Sequence, residues 1–321
     1  MIALFGFAGS GKTVLFQALT RSKKESLDPN KPLVETAKLP DERLEFLAEN
    51  LNSKKVTFPT LSFVDIKGAS KEEGFSAERL AQLKDASLLI YCLKGFGEDY
   101  NLSDDLESLE LELICYDLEL AEKRLSPSPD NTLAKTLLSR CQEALQNGVP
   151  LRDCEFSESE KKILPDLPFL SIKKVIILIN KEKGDLGSGK SFPPLLFKRK
   201  GREKVPVFSL SAIVEKEIGE LSSLPLFLKE ILNSLSLITF YTVVKNEAKA
   251  WLLPEGTPAV KAAGKIHTDI EKGFIRAEVV NFEDFKKAGS LVEAKHQSLL
   301  HSENKEYLVK DGNIIEFLFT K

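Results

Sequence analysis

The sequence predicts an α/β fold built on a doubly wound, mostly parallel sheet, followed by a small β-rich domain. The first observation is a set of apolar runs with little polar alternation, at residues 2–5, 61–64, 88–93, 175–179 and 205–210. Strands of this kind are typical of parallel sheets that helices cover on both faces. The second observation is the helical pattern of residues 14–19, which follows the first run and completes a strand, turn and helix sequence.

A helical insertion is predicted between the third and fourth of these strands. An acidic segment carries one apolar seam with spacings of three and four residues, at Leu106, Leu109, Leu113, Tyr116 and Leu120. The breaker SPSPD follows, and helical spacing resumes in NTLAKTLLSRCQEAL. We therefore expect a helical hairpin at about residues 100–165, and two helices that simply cover the sheet are the alternative.

The pattern changes again from residue 239 onward. Short β-prone pieces such as ITFYTVV, FIRAEVV and NIIEFLF are separated by turn sequences such as PEGTP and KDGN. We expect a small, separate domain here, so the predicted domains are residues 1–236 and 237–321.

Composition excludes several classes of protein. The 321 residues carry a formal net charge of -3, so we expect no binding to DNA, and any contact with RNA must come from a local patch. Cys92, Cys115, Cys141 and Cys154 lie too far apart for a C-x-x-C metal site, and no signal-peptide pattern opens the chain, which favours a reducing, cytoplasmic location. The apolar runs are far shorter than the roughly 20 residues that span a bilayer.

Two segments fit the phosphate-loop pattern G-x-x-x-x-G-K-[ST]: GFAGSGKT at residues 6–13 and GDLGSGKS at residues 184–191. The pattern binds phosphates where it joins a strand to a helix, because backbone N–H groups and the positive helix end then surround the phosphates. Residues 6–13 meet this condition. In the second segment, KEK intervenes after the strand and Phe192-Pro193-Pro194 follows, which disfavours a helix. One phosphate site is therefore predicted, with Lys12 on the phosphates and Thr13 on Mg²⁺, and residues 184–191 are interpreted as a loop.

A second element of such a site is predicted at the end of the next apolar strand. In LSFVDIKG, Asp65 ends the strand and Gly68 follows three residues later. A D-x-x-G segment in this position is typical of a switch, whose backbone senses the third phosphate and whose Asp lies near the metal.

Base recognition is predicted at the ends of the last two strands of the sheet. The strand VIILIN ends in Asn180-Lys181, the beginning of the N-K-x-D motif, but Lys183 stands in place of the Asp. A lysine cannot accept hydrogen bonds from guanine, so adenine or relaxed specificity is expected. Compensating contacts from Glu182 or Asp185 remain the alternative.

The dipeptide Ser211-Ala212 in SLSA is interpreted as the last base-contacting loop. Together the predicted nucleotide-binding residues are Gly6, Phe7, Ala8, Gly9, Ser10, Gly11, Lys12, Thr13, Val14, Asn180, Lys181, Glu182, Ser211, Ala212 and Ile213.

These residues together resemble the YchF/Obg-like ATPase family, which belongs to the translation-factor class of P-loop proteins. The most specific similarity lies in AWLLPEGTPAVKAAGKIHTDIEKGFIRAEVV and EYLVKDGNIIEFLF, which are similar to the family's C-terminal TGS domain, a β-grasp module. The segments VDIKGASKEEG, PDERLEFLAE and SAIVEKEI are also similar to family segments. The resemblance covers nearly the whole chain.

The resemblance implies a G-type P-loop NTPase domain at residues 1–236 and a TGS-like domain at 237–321. It implies a Mg²⁺-dependent enzyme that commonly prefers ATP, hydrolyses it slowly and associates with ribosomes through the TGS domain and the hairpin. Lys12 is the catalytic residue in this interpretation. Thr13, Asp65 and Ser26 are the metal ligands, with Ser26 of SLDPN in the place of the family's threonine, and Ser26, Asp65 and Gly68 are the switch residues.

The chain departs from the family pattern in its switch segments, base motif and hairpin. The stretch after Asp65 and the spacing to Ser26 are both shortened, the base motif is NKEK, and the hairpin is short. Two alternatives therefore stay open: a nucleotide-gated or constitutive ribosome- or RNA-binding module with little hydrolysis, and a GTPase.

The C-terminal tail contains one further candidate surface. His267 lies near Lys261, Lys265, Lys272 and Arg276 in sequence, which predicts an edge that faces RNA or the ribosome. A structural histidine among ordinary surface lysines is the alternative.

Overall fold

The computed structural model describes residues 1–22, 31–126, 132–181, 205–211, 224–244 and 246–320. The chain divides into two compact units, one formed by Met1–Ala37 and Leu61–Phe227 and the other by Lys38–Thr60 and Leu228–Lys321. Within the described ranges, no helix is both long and apolar enough to cross a lipid bilayer.

The strands are β1 (Ile2–Phe5), β2 (Leu33–Lys38), β3 (Lys55–Thr57), β4 (Thr60–Asp65), β5 (Leu88–Gly95), β6 (Lys174–Lys181), β7 (Val207–Leu210), β8 (Leu237–Val244), β9 (Glu247–Pro254), β10 (Phe274–Asn281), β11 (His301–Glu303) and β12 (Asn313–Phe319). The helices are α1 (Lys12–Thr20), α2 (Glu42–Asn50), α3 (Ala77–Ala81), α4 (Leu102–Leu125), α5 (Thr132–Gln146), α6 (Glu158–Ile163), α7 (Leu224–Ser234), α8 (Ala259–Ile266), α9 (Thr268–Lys272), α10 (Phe282–Ala288) and α11 (Leu291–His296).

The first unit contains a sheet with the strand order β2-β4-β1-β5-β6-β7. β1 pairs in parallel with β4 and β5, and β6 pairs in parallel with β5 and β7. The central strands β1, β5 and β6 are mostly buried, and the IALF of β1 is buried throughout, because helices cover both faces. The predicted α/β fold is confirmed. Because β1, β4, β5, β6 and β7 run in one direction, the loops at their carboxyl ends lie along one edge, where ligands bind in such sheets.

Helix α4 combines the two alternatives that the sequence left open for the insertion. Its first half packs on the sheet, since Leu106, Leu109 and Leu113 belong to the same buried core as the strands. Its second half packs against α5, where Ala121 and Leu137 share a separate core. The helix therefore covers the sheet at one end and forms a helical hairpin at the other.

Two buried polar contacts fix α4 to the chain that follows α5. Asp117 is fully buried and accepts backbone N–H bonds from Leu170 and Ser171, at 2.8 and 2.7 Å. Burial raises the pKa of the Asp117 carboxyl to about 6. Two helical turns earlier, Glu110 forms an ion pair with Arg152, and both side chains are nearly inaccessible to solvent. These contacts hold the helix at a fixed position on the sheet.

The second unit contains a mixed sheet with the strand order β11-β10-β12-β8-β9-β3. β8 and β9 form an antiparallel pair, and β12 lies parallel to β8 in the centre, which fits the β-grasp prediction. Neighbouring residues on one strand enter different cores: Phe240 packs with Ile315 and the helix α8, whereas Tyr241 packs with Ile314 on the opposite face. Period-two burial of this kind is expected of a sheet that is covered on both faces.

The second unit also contains residues 38–60, which the sequence assigned to the N-terminal domain. Leu44 and Leu47 of α2 are fully buried in the core that contains Tyr241 and Phe285. β3 extends the second sheet by pairing in parallel with β9. The amphipathic face of α2 is buried against the second sheet, and this packing accounts for the difference from the sequence-based boundaries.

Candidate functional site

The loop of residues 6–13 connects β1 to α1 at the carboxyl edge of the first sheet. Gly9 and Gly11 adopt positive φ angles of 77° and 85°, which glycine adopts without the steric cost that other residues carry. Gly11 is also the N-cap of α1. Since a glycine has no side chain to cap the helix, the first N–H groups of α1 are left for an anion. The predicted phosphate loop therefore has the strand and helix that its chemistry requires.

Lys12 is buried at the centre of this loop. The residue is 5% exposed, and its Nζ donates a hydrogen bond to the carbonyl oxygen of Phe7 at 2.8 Å. Burial lowers the pKa of the ammonium, while the neighbouring Cys92 and Asp65 act in the opposite direction. A bound phosphate would supply the negative charge that this buried ammonium needs.

Thr13 and Asp65 meet although 52 residues separate them. The Thr13 hydroxyl donates to Asp65 Oδ2 at 2.7 Å. The other oxygen, Oδ1, is buried and accepts no hydrogen bond from the described residues. Burial raises the pKa of this carboxyl, which is the signature of a charge without full compensation. A hydroxyl oxygen beside a buried carboxylate oxygen that lacks a partner fits the preference of Mg²⁺ for oxygen ligands.

Gly68 and the residue after it lie directly against the phosphate loop. A Cβ atom placed on Gly68 would lie 2.6 Å from Lys12 Nζ and 2.7 Å from the backbone nitrogen of Ala8. The N–H of Ala8 donates to the carbonyl oxygen of Ala69 at 2.8 Å. Only glycine permits this close approach.

The two predicted base-contacting segments reach the same edge of the sheet. Asn180, at the end of β6, is 5% exposed, and its Nδ2 donates to the carbonyl oxygen of Ser10 at 3.0 Å. Lys181 ends the same strand, and the buried Ser211 follows β7. Ser26, Glu182, Lys183, Asp185, Ala212, Ile213 and the segment 184–191 lie outside the described residues.

A cavity of about 630 Å³ adjoins the phosphate loop, and the sequence argument missed most of its lining. Phe7, Ala8 and Ser10 form one side, and Lys71, Tyr100 and other residues at 69–72, 92–94 and 98–105 form the rest. The strand order could have identified this lining, because residues 92–101 lie at and after the carboxyl end of β5, which pairs with β1. Ligands bind at the carboxyl ends of the strands in such sheets.

Comparison with known proteins decides the family. The Ribosome-binding ATPase YchF of Bacillus subtilis (strain 168) is 32% identical to this chain over 362 aligned positions, which cover 98% of each protein. The chain belongs to the YchF family. The Ribosome-binding ATPase YchF of Escherichia coli O157:H7 is 31% identical with the same coverage. The family model YchF-GTPase_C, described as a protein of unknown function (DUF933), matches residues 237–320.

Solved structures confirm the fold. The structure of the Schizosaccharomyces pombe YchF GTPase superposes with a TM-score of 0.84 and 23% identity, covering 99% of this chain and 97% of that one. A GTP binding protein from Pyrococcus horikoshii OT3 superposes with a TM-score of 0.60 and 17% identity, covering 99% of both chains. The YchF fold therefore extends over nearly all of this sequence.

The alignment with the B. subtilis YchF protein also contains gaps in this chain, since its 362 positions exceed the 321 residues available. This chain is therefore a shortened member of the family, as the sequence indicated.

Proposed function

We propose that this chain is a Mg²⁺-dependent nucleotide-binding protein that hydrolyses a nucleoside triphosphate slowly and associates with ribosomes. The observation that carries the proposal is the loop of residues 6–13, with Lys12 buried inside it and the uncapped first turn of α1 behind it. The name Ribosome-binding ATPase, which its relatives bear, supports ribosomes as the partner and a cytoplasmic location.

The residues of the loop bind and orient the triphosphate. The N–H groups from Gly9 to Lys12 surround the phosphates, and the Lys12 ammonium neutralises their charge. Thr13 and the carboxylate of Asp65 would hold Mg²⁺, and we assign Ser26 to the same role. When bound, Mg²⁺ supplies charge neutralisation at the phosphate oxygens.

The residue that follows Gly68 accounts for the slow hydrolysis in this proposal. The next residue is Ala69, whose methyl group has no polar atom with which to orient a water molecule. Water is the nucleophile in this proposal, and the protein accelerates its attack through phosphate positioning and charge alone.

We assign ATP or relaxed specificity from the base motif. Lys183 offers only donors where a guanine-specific site places a carboxylate, so the N1 and N2 groups of guanine lack an acceptor there. Asn180 remains a base-site residue that also contacts the phosphate loop.

A second candidate function is a ribosome-binding module with little or no hydrolysis. The shortened stretch after Asp65 and the reduced spacing to Ser26 favour it, because switch segments of this kind position the metal and the attacking water for hydrolysis. A GTPase with compensating contacts from Glu182 or Asp185 is the third candidate.

Phosphate release over many turnovers, with and without ribosomes, separates these functions. We expect slow release from ATP by the wild-type protein that exceeds the release by Lys12→Ala. If the wild-type protein releases phosphate no faster than Lys12→Ala, both with and without ribosomes, the binding module is the remaining function. An affinity clearly higher for GTP than for ATP contradicts the assignment from Lys183 and favours the GTPase.

A further inference from the structure

The segment that follows Asp65 is connected to helix α4 through Lys71. The Lys71 Nζ lies 2.6 Å from Asp104 Oδ2 and also forms an ion pair with Asp105. Both carboxylates belong to the first turn of α4, where the helix dipole favours negative charge. The Lys71 side chain is 35% exposed and that of Asp105 is 14% exposed, so this pair is partly shielded from solvent, whereas the Asp104 side chain is 60% exposed. The two carboxylates raise the pKa of Lys71, although its burial acts against them.

The other end of the same segment is connected to the phosphate loop. Gly68 lies against Lys12, and the carbonyl oxygen of Ala69 accepts a hydrogen bond from Ala8 at 2.8 Å. The Lys71 Nζ also lies 5.9 Å from the centre of the Phe7 ring, within range of a cation–π contact. Four residues, 68–71, therefore connect the phosphate loop to the N-terminal end of a 24-residue helix.

The limited space around the Lys12 ammonium makes the position of this segment depend on whether a third phosphate is bound. In a phosphate loop the lysine contacts the second and third phosphates. Here one donor of Lys12 is directed to Phe7, and the Gly68 backbone approaches Nζ so closely that an added Cβ would lie only 2.6 Å away. A third phosphate on that side of Nζ requires Gly68 and Ala69 to withdraw. The adjoining cavity, which Ala69 and Lys71 themselves line, provides room for that movement.

We infer that Lys71, Asp104 and Asp105 form a latch that holds residues 68–71 against the phosphate loop and couples the third phosphate to helix α4. The inference rests on the proposed nucleotide function and adds its regulation. The latch opposes withdrawal of Gly68, so it lowers the affinity for a triphosphate more than that for a diphosphate. Withdrawal pulls on Lys71, so the first turn of α4 loosens when a triphosphate is bound. Lys71 is thus a positioning residue, and it acts through residues 68–69.

The affinities of the full-length protein for ADP and for a non-hydrolysable ATP analogue, measured by calorimetry with Mg²⁺, test the latch. We expect Lys71→Ala to shift the affinity ratio toward the ATP analogue by about two- to five-fold, the effect of losing its ion pairs with Asp104 and Asp105, which are partly exposed. Lys71→Arg keeps the charge and should retain the wild-type ratio. Lys67→Ala removes an exposed lysine of the same segment and is the matched control.

The carboxylate side of the latch supplies a second, independent variant. Asp104→Asn combined with Asp105→Asn should shift the ratio as Lys71→Ala does, and the triple variant should shift it no further, because all three residues act in one contact. Hydrogen exchange in the first turn of α4 should rise when the wild-type protein binds the ATP analogue, and this rise should be smaller in Lys71→Ala.

Three results overturn the latch. The first is an unchanged affinity ratio in Lys71→Ala and in the aspartate variant while both nucleotides still bind, a result that leaves the proposed function intact. The second is an equal shift in Lys67→Ala, which would attribute the effect to charge alone. Failure of the wild-type protein to bind either nucleotide contradicts the proposed function itself, and the latch with it.

Discussion

Replacing Asn180 tests whether this residue serves the phosphates as well as the base. Asn180→Ala removes the amide that donates to the Ser10 carbonyl at 3.0 Å, in a place where the residue is only 5% exposed. A buried carbonyl that loses its donor costs about 1–3 kcal/mol. Ser10 precedes Gly11, whose Cα packs so closely on the Asn180 amide that a Cβ there would lie 2.1 Å from Nδ2. Loss of the amide therefore loosens the loop that binds phosphate.

Inorganic tripolyphosphate is the ligand that separates the two roles, because it has the phosphates and lacks the base. If the loss of about 1–3 kcal/mol appears in binding, the dissociation constant for tripolyphosphate with Mg²⁺ rises about five- to 150-fold in Asn180→Ala. Asn180→Asp should bind more weakly still, because its carboxylate meets a carbonyl oxygen that offers no proton. Calorimetry or competition with a fluorescent nucleotide measures both constants.

The matched control is Asn147→Ala, which removes an amide donor of the same kind. The Asn147 amide donates to the Glu143 carbonyl at 2.8 Å in an exposed position after α5. This variant should bind tripolyphosphate as the wild-type protein does. If Asn180→Ala binds ATP more weakly but tripolyphosphate with unchanged affinity, the residue acts on the base alone and the reasoning from the Ser10 contact is wrong.

Three further predictions concern stability. Arg152→Met removes the buried ion pair with Glu110 and should lower the free energy of unfolding in urea by about 3–5 kcal/mol, whereas Lys123→Met, in an exposed pair, should lower it by less than about 1 kcal/mol. The pKa of Asp117 is raised from 3.8 to about 6, so the folded state binds this proton more tightly than the unfolded state. Stability should therefore fall as pH rises between about 4 and 6, and Asp117→Asn should reduce this slope. Gly11→Ala should lower the free energy of unfolding by at least about 1–2 kcal/mol, because the backbone φ angle of Gly11 is 85°. An unchanged melting curve would contradict this prediction.

The phosphate loop was predictable because its determinants are local. An apolar strand enters Gly6 and a helix without breakers follows Lys12, so a short window of sequence contains the strand, the turn and the helix. The same reasoning predicted the continuous apolar strands of the first sheet, whose burial does not depend on identifying the covering helix.

The placement of α2 was not predictable in the same way. Leu44 and Leu47 show that one face of this helix is buried, but periodicity does not say against which sheet. The order of elements along the chain assigned it to the first unit, and packing with Tyr241, about 200 residues later, places it in the second.

The contacts that connect the parts of the site also lie beyond local sequence. Asn180 reaches Ser10 across 170 residues, and Lys71 reaches Asp104 across 33 residues. The strand order brings the first pair together and the docking of α4 brings the second. A motif identifies a residue's type of chemistry, whereas these pairings depend on strand order and helix docking in the folded protein.

The affinity of the wild-type protein and of Lys12→Ala for Mg²⁺·ATP determines whether residues 6–13 bind the phosphates. The loop of residues 6–13 holds a buried ammonium that a phosphate would neutralise, so the wild-type protein should bind and the variant should show no measurable binding in the same titration. A melting curve identical to that of the wild-type protein without nucleotide would establish that the variant is folded. If the folded variant binds Mg²⁺·ATP with wild-type affinity, the phosphates lie elsewhere and the account is contradicted.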